Sequence, residues 1–484
     1  MLRIYKFVPS CLVFAITLWA ALPCYAFREL KPNIILIYAD DLGYNDLTCF
    51  GSAKIKTPNL DQMAHEGVRL TNYYSAASLC GPSRAAVMTG RHPLRVKELN
   101  DRKHFHTILA DSEITIAELL KSAGYHTKAI GKWHLAGSGR GAVGEKESKK
   151  GNNRWFAKNP KLMPTEQGFD EYFGIPYSND MKPSVLMNNT EFIESPVDQT
   201  TITRRYTDAA IKFIEKHNND SFFIYLAHSM PHTPLYTEQR FENSSDYGPY
   251  GDCVQEIDFH IGRILRKLKD LKLSKKTFVV FTSDNGPWHW VEPFPNADKG
   301  RTPTNKDRQK QSGMAFPLRG AKLTSFEGGH RVPCIAWWPG KLPSGTEIDH
   351  LVTSMDFFPT FAALASTACP ADRIIDGRNS IELLNGSRQQ PIHEAFYYYK
   401  HDYLLGVRHG PWKLLLPRPA FPKNLSWYGR YQFEFTEPQL FNLNSDIGEV
   451  NNVAHQNPKI VENLRSLVIK AREDLGDANP YANR

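Results

Sequence analysis

Apolar residues fall along this chain in short unbroken runs that end at chemically capable polar residues. Asn33–Ala39 stops at Asp40 and Asp41, Phe222–Ala227 leads to His228 and His232, and 278–281 leads to Ser283, Asp284, Asn285 and Gly286. Runs of this length without alternation predict strands buried on both faces, as in a parallel sheet. Between them, 114–123 reads as a helix closed by Gly124. Val254, Ile257, Ile261, Ile264, Leu265 and Leu268 recur at helical spacing and predict an amphipathic crossover helix. Alternating strands and helices predict an α/β core whose ligands sit beyond the carboxyl ends of the strands. The polar clusters fall at those ends.

The pattern changes after about residue 370. Segments 396–399, 404–407 and 412–416 read as short antiparallel strands, and a last helix is expected over Pro458–Leu475. The predicted organisation is an export signal over 1–26, a catalytic domain over 27–370 and a smaller α+β subdomain over 371–484. The signal is read from Arg3 and Lys6, the apolar stretch 11–22, and the small residue Ala26 before Phe27. That stretch is too short for a membrane span, so no stable membrane anchor is expected. The mature chain is expected to be exported: periplasmic or extracellular, or in a lysosomal-type compartment of a eukaryote. Loops 138–161 and 288–312 carry basic runs, and the second also carries Trp288 and Trp290.

Composition alters this picture little. Hydrophobic residues at 41% and charged residues at 23% exclude a disordered or fibrous chain. A net charge of +8 suits an anionic substrate but is too modest, without a binding motif, for nucleic acid. Removal of the signal leaves Cys49, Cys80, Cys253, Cys334 and Cys369, an odd number in an oxidising compartment. Four could pair; their spacing does not say how.

The segment Ser78-Leu79-Cys80-Gly81-Pro82-Ser83-Arg84, ending at Thr89-Gly90, is the strongest signal. It sets a cysteine at a predicted helix start, with Pro82 where proline is tolerated and Arg84 one turn on. Such a helix start beside an arginine favours an anion or a negatively charged nucleophile. This segment resembles the signature of the sulfatase family, Cys-x-Pro-Ser-Arg followed by Thr-Gly. The resemblance extends over most of the mature chain. Gly124-Tyr125-His126-Thr127-Lys128-Ala129-Ile130-Gly131-Lys132-Trp133-His134 is similar to the family's second signature. Asp40-Asp41, His232, Asp284-Asn285 and Lys322 follow in family order, as does the closing segment Leu440-Phe441-Asn442-Leu443. Ile175-Pro176-Tyr177-Ser178 resembles the branch of arylsulfatase A and N-acetylgalactosamine-6-sulfatase.

The resemblance implies an alkaline-phosphatase-like fold: a large mixed, mainly parallel sheet flanked by helices, with a C-terminal subdomain containing a short antiparallel sheet. It implies that a sulfatase-maturing enzyme oxidises Cys80 to formylglycine, whose hydrate attacks sulfur and then expels sulfate. Asp40, Asp41, Asp284 and Asn285 are hard oxygen ligands suited to Ca²⁺, with Mg²⁺ second, rather than to zinc. By resemblance they hold calcium together with the modified Cys80. Arg84, Lys132 and Lys322 are expected to neutralise the sulfate, and such fixed charge is typically the largest catalytic effect. His134 is expected beside the hydrate, His232 as the proton donor to the leaving alcohol, Asp284 as the base and Ser178 as a substrate contact.

The expected activity is hydrolysis of an aryl sulfate or sulfated carbohydrate, with Trp288 and Trp290 stacking on sugar faces. Two alternatives stand beside it. One is a phosphonate monoester or phosphodiester hydrolase on the same fold. The other is a non-catalytic sulfated-glycan-binding protein, should Cys80 stay unmodified.

Overall fold

The computed structural model describes residues 31–96, 109–136, 160–181, 183–288, 312–418 and 433–478. The export-signal segment, most of loops 138–161 and 288–312, and Trp290 lie outside the described residues. Lys31–Arg484 forms one compact unit.

The strands are β1 (Asn33–Ala39), β2 (Val68–Leu70), β3 (Tyr73–Tyr74), β4 (His126–Gly131), β5 (Glu171–Gly174), β6 (Leu186–Asn188), β7 (Glu191–Glu194), β8 (Phe222–Ala227), β9 (Thr277–Ser283), β10 (Cys334–Trp337), β11 (Thr346–Ile348), β12 (Val352–Thr353), β13 (Phe396–Lys400), β14 (Tyr403–His409), β15 (Trp412–Leu415) and β16 (Gln439–Asn442). Ten of them form one sheet in the order β11-β2-β10-β9-β1-β8-β4-β5-β6-β7. Its centre, from β9 through β1, β8 and β4 to β5, is parallel. The antiparallel pairs lie to either side, β10 against β9 and β2, and β6 against β5 and β7. The expected mixed, mainly parallel sheet is therefore observed. Every residue of β1, β8 and β9 is buried, which is why those runs lack polar alternation.

The helices are α1 (Pro58–Glu66), α2 (Cys80–Thr89), α3 (Ile116–Ser122), α4 (Ile202–Lys216), α5 (Pro249–Asp270), α6 (Glu327–His330), α7 (Phe357–Leu364), α8 (Ile381–Leu384) and α9 (Pro458–Leu475). Helix α3 opens with a reciprocal cap, in which Thr115 accepts from the Glu118 backbone and Glu118 accepts from the Thr115 backbone. Helix α5 buries Val254, Ile257, Ile261, Ile264, Leu265 and Leu268, the stripe expected of it. No described helix is long and apolar enough to cross a membrane.

The C-terminal strands form the expected antiparallel sheet, ordered β13-β14-β15-β16, with one strand more than the periodicity suggested. Helix α9 covers it, packing Leu464, Leu467, Val468 and Ala471 against Leu404, Val407 and Leu414. All five described cysteines are free, so none of the four potential disulfide partners is paired.

Candidate functional site

The parallel strands deliver polar side chains to one edge of the sheet. Asp40 and Asp41 follow β1, Asp284 and Asn285 follow β9, Lys132 and His134 follow β4, Ser178 follows β5 and His232 follows β8. The turn out of β4 needs Gly131: its φ is +96°, and a Cβ there would stand 1.8 Å from the Ala227 carbonyl oxygen. Asp41 (φ 65°) and His134 (φ 58°) occupy left-handed backbone that side-chain-bearing residues seldom adopt, a strain found at functional sites.

These residues form one buried charge cluster. Lys132 Nζ lies 2.5 Å from Asp40 Oδ2 and donates to Ser178 Oγ at 3.1 Å. Lys322 Nζ donates to Asp41 Oδ1 at 2.6 Å, and Asn285 Nδ2 donates to the same oxygen at 2.7 Å. The Asp41 backbone N–H donates to Asp284 Oδ1 at 3.1 Å. His232 Nε2 stands 3.7 Å from Asp41 Oδ2.

Arg84, expected to help neutralise sulfate, makes its hydrogen bonds within the cluster. Its Nε and Nη2 donate to Asp284 Oδ2 at 3.0 and 2.7 Å, and its Nη1 to the Lys132 carbonyl at 3.0 Å and the Tyr225 hydroxyl at 3.4 Å. It is fully buried, so it aligns Asp284 and Lys132. Tyr225 is a support that sequence reasoning missed; its only signal was its place in an apolar strand. His228 is buried with its ring 6.5 Å from that of Tyr206, and burial and His260 push its pKa down.

Burial would raise the Asp40 pKa, but Lys132, His232 and Arg84 hold it below the usual carboxylate range. Burial and the neighbouring Asp40 push Asp284 up. Burial would lower Lys322, yet Asp41 and Cys80 hold it above its ordinary value. His134 is pushed well down by burial, Lys132 and Arg84. Burial lowers His232, against the pull of Asp41 and Asp40. Its Nδ1 is 2.6 Å from the Thr233 carbonyl, which can only accept, so Nδ1 carries the proton of the neutral ring.

Cys80 is the first residue of α2, where helix dipoles favour negative charge. Burial raises its thiol pKa despite Lys322 and Lys132. An unmodified thiolate is therefore disfavoured here.

Among the described residues, Asp40 Oδ1, Asp41 Oδ2 and Asn285 Oδ1 are buried and meet no hydrogen-bond donor. Unmatched buried oxygens carry a large desolvation cost unless a cation takes them. Asp40, Asp41 and His232 also bring potential ligand atoms within 4.8 Å of one another. The oxygen-rich donor set fits calcium.

A family profile described as Sulfatase matches residues 32–367, and one described as N-sulphoglucosamine sulphohydrolase, C-terminal, matches 321–474. The chain is 36% identical over 409 residues to N-acetylgalactosamine-6-sulfatase of Canis lupus familiaris, covering 79% of this chain and 71% of that protein. It is 32% identical over 538 residues to human steryl-sulfatase, covering 92% and 87%. A solved structure from work on the metabolism of multiple glycosaminoglycans by Bacteroides thetaiotaomicron superposes with a TM-score of 0.76 at 27% identity, covering 92% of this chain and 99% of that one.

Proposed function

Since the chain belongs to the sulfatase family and is a sulfuric ester hydrolase, we propose that it removes sulfate from a sulfated carbohydrate, using a formylglycine made from Cys80 and a bound calcium ion. The observation that carries the calcium reading is the set of unmatched oxygens on Asp40, Asp41 and Asn285. With Asp284 and the modified Cys80, these residues would hold the ion, which supplies positive charge toward the ester oxygens. The hydrated aldehyde at Cys80 would supply an oxygen nucleophile, made by a sulfatase-maturing enzyme. The carbohydrate reading is supported by the glycan-directed name of the N-acetylgalactosamine-6-sulfatase relative and by the net charge of +8.

The chain's own residues divide the work. Lys132, steadied by Asp40 and Ser178, and Lys322, steadied by Asp41, present fixed positive charge where sulfate oxygens gain charge in the transition state. Arg84 positions Asp284, which takes the proton of the attacking hydroxyl. His232, with Nδ1 held by the Thr233 carbonyl, presents Nε2 to the leaving alcohol and passes it a proton when protonated there. His134 assists departure of sulfate from beside the Cys80 position. Ser178 contacts substrate through the Lys132 side of the site. In this reading residues 1–26 direct export, 27–370 carry catalysis and 371–484 form the C-terminal subdomain.

The test is protein purified from its native host. Mass analysis of the Cys80 peptide should show formylglycine, and a panel of defined sulfated saccharides should release sulfate faster than matched phosphonate esters react. Full activity with an unmodified Cys80 thiol would overturn the mechanism. Preference for phosphonate would overturn the substrate class.

A further inference from the structure

A second cluster of potential metal ligands lies at the opposite ends of the parallel strands. His126 opens β4, His217 caps the end of α4, and Asp220 sits in the turn that leads into β8. Parallel pairing sets His126 opposite Phe222, and the His126 N–H donates to the Ser221 carbonyl at 3.0 Å. The turn is closed by the Asp220 N–H, which donates to the His217 carbonyl at 3.1 Å. These constraints stack the two imidazoles, with centroids 4.1 Å apart and planes at 27°. Asp220 Oδ2 stands 3.8 Å from His126 Nε2 and 3.9 Å from His217 Nδ1. Both separations are too long for hydrogen bonds.

From this geometry we propose that His126, His217 and Asp220 form a zinc site, distinct from the catalytic cluster and structural in role. Two imidazole nitrogens and one carboxylate oxygen suit Zn²⁺, with water completing the tetrahedron, whereas calcium prefers oxygens alone. Bonds of ~2.1 Å to a tetrahedral ion set donors about 3.4 Å apart, so Asp220 Oδ2 must close on each imidazole nitrogen by roughly half an ångström while the stacked rings turn apart to aim their in-plane lone pairs at the ion. His126 and Asp220 are exposed and can close by side-chain rotation, while His217 is buried and packs on the Phe213 ring. Nearby cations do not compete: Lys216 and Lys128 each lie 2.7 Å from a Glu171 oxygen. The six residue steps from His126 to Lys132 span roughly 20 Å, so zinc here would not touch the chemistry. It would tie the start of β4 to the α4–β8 turn.

The test is calorimetric titration of the whole calcium-saturated protein with zinc chloride, beside His126→Ala and Asp220→Asn. Wild type should bind one more equivalent than either variant, or bind that equivalent at least ~100-fold more tightly, since even supporting groups around a metal are worth ~10–100-fold. Zinc should raise the Tm of wild type alone. Cobalt should produce a tetrahedral visible absorption in wild type only, and sulfate release should be equal in all three proteins. Equal zinc stoichiometry and affinity in wild type and both variants would overturn the proposal. A Tm shift shared by all three would overturn the structural role.

Discussion

Two buried charge clusters in this protein are built from similar residues and end in opposite states. The one at the carboxyl ends of β1 and β9 sets Asp40, Asp41 and Asp284 against Arg84, Lys132 and Lys322. The other joins α6 to the C-terminal sheet. There Glu327 Oε1 lies 2.9 Å from Lys413 Nζ and accepts from the Tyr398 hydroxyl at 2.5 Å, while Oε2 accepts from the Tyr74 hydroxyl beside Arg408. Glu449 Oε1 lies 2.7 Å from the same Lys413, and its Oε2 accepts from the Glu327 N–H at 2.8 Å. In this second cluster every carboxylate oxygen has a donor or cation within 2.9 Å. In the first, Asp40 Oδ1 and Asp41 Oδ2 accept no hydrogen bond among the described residues, and their ion-pair partners stand off at 3.6 Å (Arg84 Nη2) and 3.7 Å (His232 Nε2). A closed cluster acts as a clasp, whereas one with unmatched oxygens is prepared for a ligand. The clasp also serves the site, because the Glu449 carbonyl accepts from Arg319 at 2.7 Å, three residues before Lys322.

Charge removal should separate the two clusters. Lys413→Met strands two buried carboxylates and should cost about 3–5 kcal/mol of folding stability, read from denaturant midpoints. A cost under about 1 kcal/mol would remove the clasp. Lys132→Met in calcium-loaded protein should lower kcat by about 10²–10³, equivalent to ~2.7–4 kcal/mol, while moving the midpoint less than Lys413→Met does. Equal unfolding of both variants would erase the distinction between them.

Withdrawing calcium with a chelator should lower the Tm, and readdition at about 100 times its Kd should restore about 2.7 kcal/mol. An unchanged Tm would mean that the unmatched oxygens do not hold the ion. The smallest effect is a pH slope. Burial pushes the Glu449 pKa up from 4.5 to about 7 against the pull of Lys413. Between those values the folded state holds a proton that the unfolded chain has released, so stability falls as pH rises, by at most about 1.4 kcal/mol per unit. Midpoints measured from pH 5 to 7 should show a shallower fall in Glu449→Gln than in wild type.

Some of this was legible in residue order. Runs such as Asn33–Ala39 announced doubly buried strands, and Asp40, Lys132, His232 and Asp284 were visible as the polar residues that follow such runs or lie in the signatures. The hydrogen bonding of Arg84 within the cluster was not legible, because it depends on Asp284, 200 residues away, and on the Lys132 carbonyl. The pairing of β5, β6 and β7 at the sheet edge was equally hidden in strands of three or four residues.

Local order alone determined the buried strands, the helical stripe of α5, and the family signature around Cys80. Each is written in neighbouring residues, where backbone period and burial impose a repeating code. Which oxygens lack donors, which lysine two glutamates share, and which histidines stack were decided only by the tertiary fold. Those states depend on distances of a few ångströms between segments remote in the chain, and hydrophobic periodicity carries no record of such distances.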